Sequence, residues 1–147
     1  MGRPLGNAIG NALEVMEACD TLKGVAPEDL TETCIELAAN MLFLAGKASL
    51  EECRDLARGQ IDNGEAFVKL HEMVEAQGGN SRALDDYSLF AQPKVSREVR
   101  ATESLVFTMD TERTGIASVA LGAGRATKED AIDLLQGLCL QQKLAHT

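Results

Sequence analysis

The sequence predicts a fold of the α/β to α+β class, helical through its first half and mixed in its second. Three observations carry this reading. Apolar residues recur at three- and four-residue intervals from Leu5 to about Gly79, the period of helices buried on one side. Residues 80–94 break that period with turn-forming residues and end in Gln92-Pro93. After them, 95–109 is rich in β-branched and small polar residues, a composition that favours strands. With 147 residues, 45% hydrophobic and 25% charged, the chain has apolar content for a real core and is globular rather than disordered.

The first helix carries Ile9, Ala12, Leu13, Met16, Cys19 and Leu22 on one side and is stopped by Gly24. A second starts near Pro27, whose missing N–H costs nothing there, with Glu28 and Asp29 favoured by the helix dipole. Its stripe is Leu30, Cys34, Leu37, Met41 and Leu44, and Gly46 ends it. Ser49 with Glu52 reads as a capping box opening a third helix, which runs through Leu56 and Ile61 to Asn63-Gly64. The fourth carries Phe67, Leu70, Met73 and Val74 and ends at Gly78-Gly79. In the second half, Leu105 to Met109 reads as a short strand, and Ile116, Val119, Ala120 and Leu121 keep helical spacing up to Gly122-Ala123-Gly124. Thr127 and Asp130 cap a further turn, while Leu134 to Leu140 fits a strand or a helix equally well by period.

Charge and composition exclude several functions. A net charge of −9, with no Lys/Arg cluster, offers no electrostatic footprint for a phosphate backbone, and no Trp, one Tyr and four Phe make no stacking platform. Nucleic acid is therefore not an expected partner. The longest apolar run, Met41 to Ala45, is far short of the roughly 20 residues that span a bilayer, so no membrane partner is expected either. The first residues, Met1-Gly2-Arg3-Pro4, lack an apolar signal core, and Cys19, Cys34, Cys53 and Cys139 have neither metal-ligand nor C-x-x-C spacing. Buried, reduced thiols in a cytoplasmic protein are the expectation.

Catalytic chemistry finds little support in the residues themselves. His71, beside Leu70 and Glu72 on an amphipathic helix, reads as a boundary residue, and His146 is penultimate. The adjacent carboxylates Glu51-Glu52 and Asp85-Asp86 project in different directions on a helix and fit solvated faces. Gly122-Ala123-Gly124-Arg125 is a glycine-rich turn followed by a cation, a weak anion-site signal. The most specific text runs from Pro4 to Val15. Gly6 and Gly10, four apart at a helix start, are costly within a helix, about 1 kcal/mol each relative to Ala, and they let the backbone approach another group closely.

That segment, Pro4-Leu5-Gly6-Asn7-Ala8-Ile9-Gly10-Asn11-Ala12-Leu13-Glu14-Val15 and on to Glu17, resembles the pyrimidine-nucleoside and thymidine phosphorylases. The resemblance continues through Thr21-Leu22-Lys23-Gly24, Pro27-Glu28-Asp29-Leu30, Met41 to Ala48, Asn63-Gly64 and Met73 to Gly79. It returns at Leu121-Gly122-Ala123-Gly124-Arg125, Lys128-Glu129-Asp130 and Ile132-Asp133. It implies phosphorolysis, in which phosphate attacks the anomeric carbon of uridine, thymidine or deoxyuridine and releases the base and a pentose 1-phosphate. It implies also that residues 1–79 are the C-terminal, helical part of the phosphorylase α/β domain, 80–94 a linker, and 95–147 a truncated C-terminal α+β domain of barrel-sandwich type.

Members of that family are homodimers, and neither the dimerisation segment nor the phosphate loop, with its Lys-His-Ser-Thr-Gly-Gly text, nor the Arg, Ser and Lys contacts to the pyrimidine match anything in this stretch. The resemblance thus implies no catalytic and no substrate-binding residue here. It does imply half of a potassium site: the backbone carbonyls of Leu5 and Ala8 and the carboxylate of Glu17, oxygen donors of the kind a large hard cation prefers. Asn7, Ser104-Leu105-Val106-Phe107 and Lys143-Leu144-Ala145 depart from the family's pattern. Two readings follow. In one the chain is part of a pyrimidine-nucleoside phosphorylase, inactive alone; in the other it is a non-catalytic assembly module completing a separate chain that carries the phosphate loop.

Overall fold

The computed structural model describes residues 4–100, 109–125 and 127–140. The order of elements is β1 (Ala8–Ile9), α1 (Asn11–Leu22), α2 (Glu28–Leu44), α3 (Leu50–Asp62), α4 (Glu65–Ala76), two 3-10 turns (Ser81–Leu84 and Tyr87–Leu89), α5 (Thr111–Ser118) and β2 (Leu138–Cys139). Among the described residues, five helices and one two-stranded sheet make this a mostly helical member of the predicted class. The chain divides into two compact units, Met16–Leu89 and a second that joins Met1–Val15 to Phe90–Thr147. The compact units are not continuous along the chain, because the first fifteen residues group with residues 90–147.

In the unit Met16–Leu89, the local signals read from the sequence form as expected. Pro27 precedes α2, and Glu28 and Asp29 occupy its first turn. The Ser49 hydroxyl accepts the Glu52 N–H at 3.3 Å and the Glu52 carboxylate accepts the Ser49 N–H at 3.0 Å, completing the capping box of α3. The Ser49 hydroxyl also donates to the Glu52 carboxylate at 2.7 Å, and that bond, with the one from the Ser49 N–H, holds the Glu52 carboxyl below its usual range. Gly64 turns the chain into α4 with φ 80°, a left-handed conformation open to glycine. α2 packs on α3, with Arg54 paired to Glu36 and Arg58 to Glu32 across the exposed edge.

The face α2 buries is not the expected one. Ile35 and Ala39 are 3% and 0% exposed, whereas Leu37, Met41 and Leu44 are 63%, 71% and 83% exposed and Cys34 is also exposed. The three-and-four spacing holds on both sides of this helix, and spacing alone does not say which side a neighbour covers. The expectation of buried thiols holds for Cys19 and Cys53, both fully buried, and fails for Cys34 and Cys139, which are exposed; all four are free.

The turn-rich stretch after α4 packs closely at its start. Asn80 caps the first 3-10 turn, Ser81 and Leu84 are buried, and the Ser81 hydroxyl donates to Glu75 at 2.7 Å. Lys23 donates to the Leu84 carbonyl at 2.8 Å, with its ammonium 4.5 Å from the centre of the Phe67 ring and 5.0 Å from that of Tyr87. The Tyr87 hydroxyl donates to Asp20 at 2.6 Å, and burial, reinforced by that carboxylate, pushes the phenol well above its usual range. Lys23 and Tyr87 thereby tie residues 81–89 to α1 and α4.

In the other unit, β1 and β2 pair antiparallel, Ala8 opposite Cys139 and Ile9 opposite Leu138, which decides the open question over Leu134 to Leu140 in favour of a strand at its end. Asp110 caps α5 by accepting the Arg113 N–H at 3.0 Å, and the helix widens to a π-turn over Val119–Ala123. Asp130 accepts the Thr127 N–H at 2.8 Å, the capped turn expected there. The strand expected over Leu105 to Met109 falls, except for Met109, outside the described residues. No helix among the described residues is long and apolar enough to cross a membrane.

Candidate functional site

The segment singled out by its glycines is held to a distant part of the chain. The Asn7 carbonyl accepts the Leu140 N–H at 2.8 Å, Ala8 and Ile9 pair with β2, and the Leu134 carbonyl accepts the Ala12 N–H at 3.2 Å. Gly10 sits between these contacts with φ 128°, and its N–H donates to the Glu14 carboxylate at 2.9 Å. A side chain at Gly10 would strike the Gln136 carbonyl and lie 2.7 Å from the Gly137 Cα. One at Gly137 would strike the Ile9 carbonyl and lie 2.8 Å from a Leu13 methyl. The close approach inferred from Gly10 is therefore to Gly137, two glycines meeting where two backbones cross. Gly137 was not recognisable as its partner from sequence, since nothing local to residues 134–140 marks which distant segment they meet.

Of the expected cation ligands, Leu5 and Ala8 lie in this segment, Leu5 41% exposed ahead of Gly6 and Ala8 on β1. Glu17 stands half-buried on α1 in the unit Met16–Leu89, its own carbonyl accepting the Thr21 hydroxyl at 2.8 Å. The three are thus not gathered within one compact unit. Among the described residues no group of three His, Cys, Asp or Glu side chains is placed to hold a metal. Two carbonyls and one carboxylate form a donor set of another kind, all oxygen, which fits a large monovalent cation and not a transition metal.

The other candidates are occupied structurally. His71 has a side chain 23% exposed, with Nε2 3.4 Å from the Asp85 carboxylate and its ring edge-on to Phe67 at 4.8 Å, the boundary position expected of it. Glu52 serves the capping box, and Asp86 accepts from the Ser88 N–H and hydroxyl, which hold its carboxyl low. The Gly122 carbonyl accepts the Asp133 N–H at 3.0 Å, and a side chain at Gly124 would strike Val119. Those glycines serve packing within the chain. Asp133, held ionised by the Leu135 N–H and the Gln136 amide, also sets the wrong charge beside Gly122 for an anion.

Comparison with known proteins places these observations. Residues 105–146 match the family described as the pyrimidine nucleoside phosphorylase C-terminal domain. Over 146 residues, 98% of its length, the chain is 47% identical to the pyrimidine-nucleoside phosphorylase of Geobacillus stearothermophilus, 46% to that of Bacillus subtilis and 45% to that of Staphylococcus aureus. Over nearly its whole length the chain is similar to a C-terminal portion of pyrimidine-nucleoside phosphorylases. It spans about a third, 34%, of the length of these curated relatives. The phosphorylase match covers Pro4 to Val15 and β2 together, so the two strands that pair in the structure lie within one continuous stretch of family sequence.

Proposed function

We propose that this chain forms part of an enzyme that cleaves uridine, thymidine or deoxyuridine with phosphate, giving the free base and ribose or deoxyribose 1-phosphate, a pentosyl transfer in the cytoplasm. The observation that carries this is 44–47% identity along almost the whole chain to proteins named for that reaction. In this reading residues 1–79 complete the catalytic α/β domain, 80–94 link it to the next, and 95–147 contribute to an α+β domain of barrel-sandwich type. The whole enzyme works as a homodimer.

The chain alone performs no phosphorolysis. Phosphate must be positioned against the anomeric carbon, and charge on the departing base stabilised, by groups that the resemblance locates outside these residues. The contribution from this chain is to the cation site: the Leu5 and Ala8 carbonyls and the Glu17 carboxylate hold potassium, which supplies positive charge near the phosphate loop. Donors from outside these residues are needed for full affinity, so the chain alone binds potassium weakly.

The test joins the 147 residues to the portion of the Geobacillus stearothermophilus relative that precedes the matched stretch. Uracil release from uridine and phosphate is then measured in potassium and in sodium. The expected result is no release by the chain alone, release by the joined protein, and loss of the potassium advantage in Glu17→Gln. Uracil release by the highly purified chain alone refutes the stated inactivity, and a folded joined protein without activity refutes the assignment of the reaction.

A further inference from the structure

We propose that the stretch from Lys94 to Arg100 is a cleavage site for a serine protease of trypsin-like specificity, and that the cut chain stays together as two pieces fastened where Gly10 meets Gly137.

Such a protease takes its substrate as an extended strand, bonding to consecutive backbone groups on both sides of the bond it cuts. Residues 91–100 offer that strand. All of them are exposed, Val95 by 83% and Val99 by 88%, and they form no helix or sheet. Among the described residues, no backbone group from Pro93 to Arg100 is spent on another backbone group. Lys94, Arg97 and Arg100 fall within this short stretch, none followed by proline, and a cationic side chain is what a trypsin-like specificity pocket reads. Basic residues elsewhere are held differently. Arg54, Arg58, Lys69 and Arg113 lie inside helices, where the backbone is bonded to itself. Lys23 and Lys47 stand in turns, their N–H groups donating to the Cys19 carbonyl at 3.0 Å and the Leu42 carbonyl at 3.1 Å.

Hydrolysis places the hydroxyl of water on the carbonyl carbon of Lys94, Arg97 or Arg100 and a proton on the nitrogen that follows, so water is the only co-reactant. The cut parts Met16–Leu89 from residues 105–146, which match the phosphorylase C-terminal domain. The second piece nevertheless keeps its hold on the first. Leu138 and Cys139 pair with Ile9 and Ala8, Leu140 donates to the Asn7 carbonyl, and Leu134 accepts from the Ala12 N–H. Gly137 lies against Gly10 and Leu13, so apolar contact joins these bonds. Met1–Val15 and Phe90–Thr147 form one compact unit, and the cut therefore falls inside a unit whose two parts are joined away from it.

The test treats the 147-residue chain with dilute trypsin at neutral pH and identifies the pieces by mass spectrometry. First cuts are expected after Lys94, Arg97 or Arg100, at least tenfold faster than after any other basic residue between Pro4 and Leu140. The triple variant Lys94→Gln, Arg97→Gln, Arg100→Gln should outlast the wild type by the same factor. Size-exclusion chromatography of the cut chain should give one peak holding both pieces, and two peaks in concentrated urea. Hydrogen exchange at the Ala12 and Leu140 amides should stay slow after cutting. First cuts elsewhere, or equal lifetimes for the triple variant and the wild type, overturn the cleavage site. Pieces that elute apart without urea, or loss of protection at those two amides on cutting, overturn the pairing.

Discussion

Replacing Gly137 by alanine tests the crossing of the two backbones at Gly10. The added methyl would strike the Ile9 carbonyl, lie 2.8 Å from the Leu13 methyl and 3.3 Å from the Gly10 Cα, so β1 and the start of α1 must move away from residues 136–137. Overpacking of this kind costs about 1–3 kcal/mol, which is roughly a five- to 150-fold change in an opening equilibrium. Gly10→Ala carries that overlap and, at φ 128°, a further cost of about 1–3 kcal/mol for a side chain in a sparsely populated backbone region. Gly59 is the control: it lies inside α3 with open space where a methyl would sit, so Gly59→Ala stabilises α3 by roughly 0.5–1 kcal/mol. Native-state hydrogen exchange reads the outcome locally, through the Ala12 and Leu140 amides that bond across the crossing to Leu134 and Asn7. Both should exchange faster in Gly137→Ala, faster still in Gly10→Ala, and unchanged in Gly59→Ala. Unchanged protection of these two amides in Gly137→Ala refutes the crossing.

Two further predictions concern the unit Met16–Leu89. Tyr87→Phe removes the bond to Asp20 and lowers stability at neutral pH, measured by urea unfolding. Because the folded state raises the phenol above its unfolded value of about 10, the tyrosine's contribution is fully present below that pH and is lost as pH rises through the folded value; the gap between wild type and Tyr87→Phe should close above about pH 10. Ser49→Ala dismantles the capping box and should cost about 1 kcal/mol, seen as a lower urea midpoint. Since Ser49 depresses the Glu52 carboxyl, its contribution exists above the unfolded carboxylate value and fades as pH falls through the folded one. The difference between Ser49→Ala and wild type should therefore shrink on acidification.

Much of the local structure is legible in the sequence because its causes lie within one or two helical turns. Pro27 with Glu28 and Asp29, Ser49 with Glu52, and Gly64 each act on backbone groups a few residues away, and each element begins or turns where they predict. Burial is less legible. The stripe from Leu30 to Leu44 has the right period, yet Cys34, Leu37, Met41 and Leu44 in it face outward, because periodicity describes a helix and burial depends on its neighbours. Lys23 shows the same limit: nothing near it in sequence announces the Phe67 and Tyr87 rings or the Leu84 carbonyl that it meets.

The sequence by itself carried the resemblance to pyrimidine-nucleoside phosphorylases, since motifs in order along the chain survive without any knowledge of their contacts, and it determined where helices start and stop. Through the resemblance it also offered Leu5, Ala8 and Glu17 as candidate oxygen donors, and its glycines marked Gly10 as a point of close approach. Only the tertiary structure decided what Gly10 approaches, which side of α2 is covered, and that the first fifteen residues group with residues 90–147. Those are choices between residues far apart in sequence, set by the shape each side chain meets, and a glycine or a leucine carries no record of that partner in its neighbours.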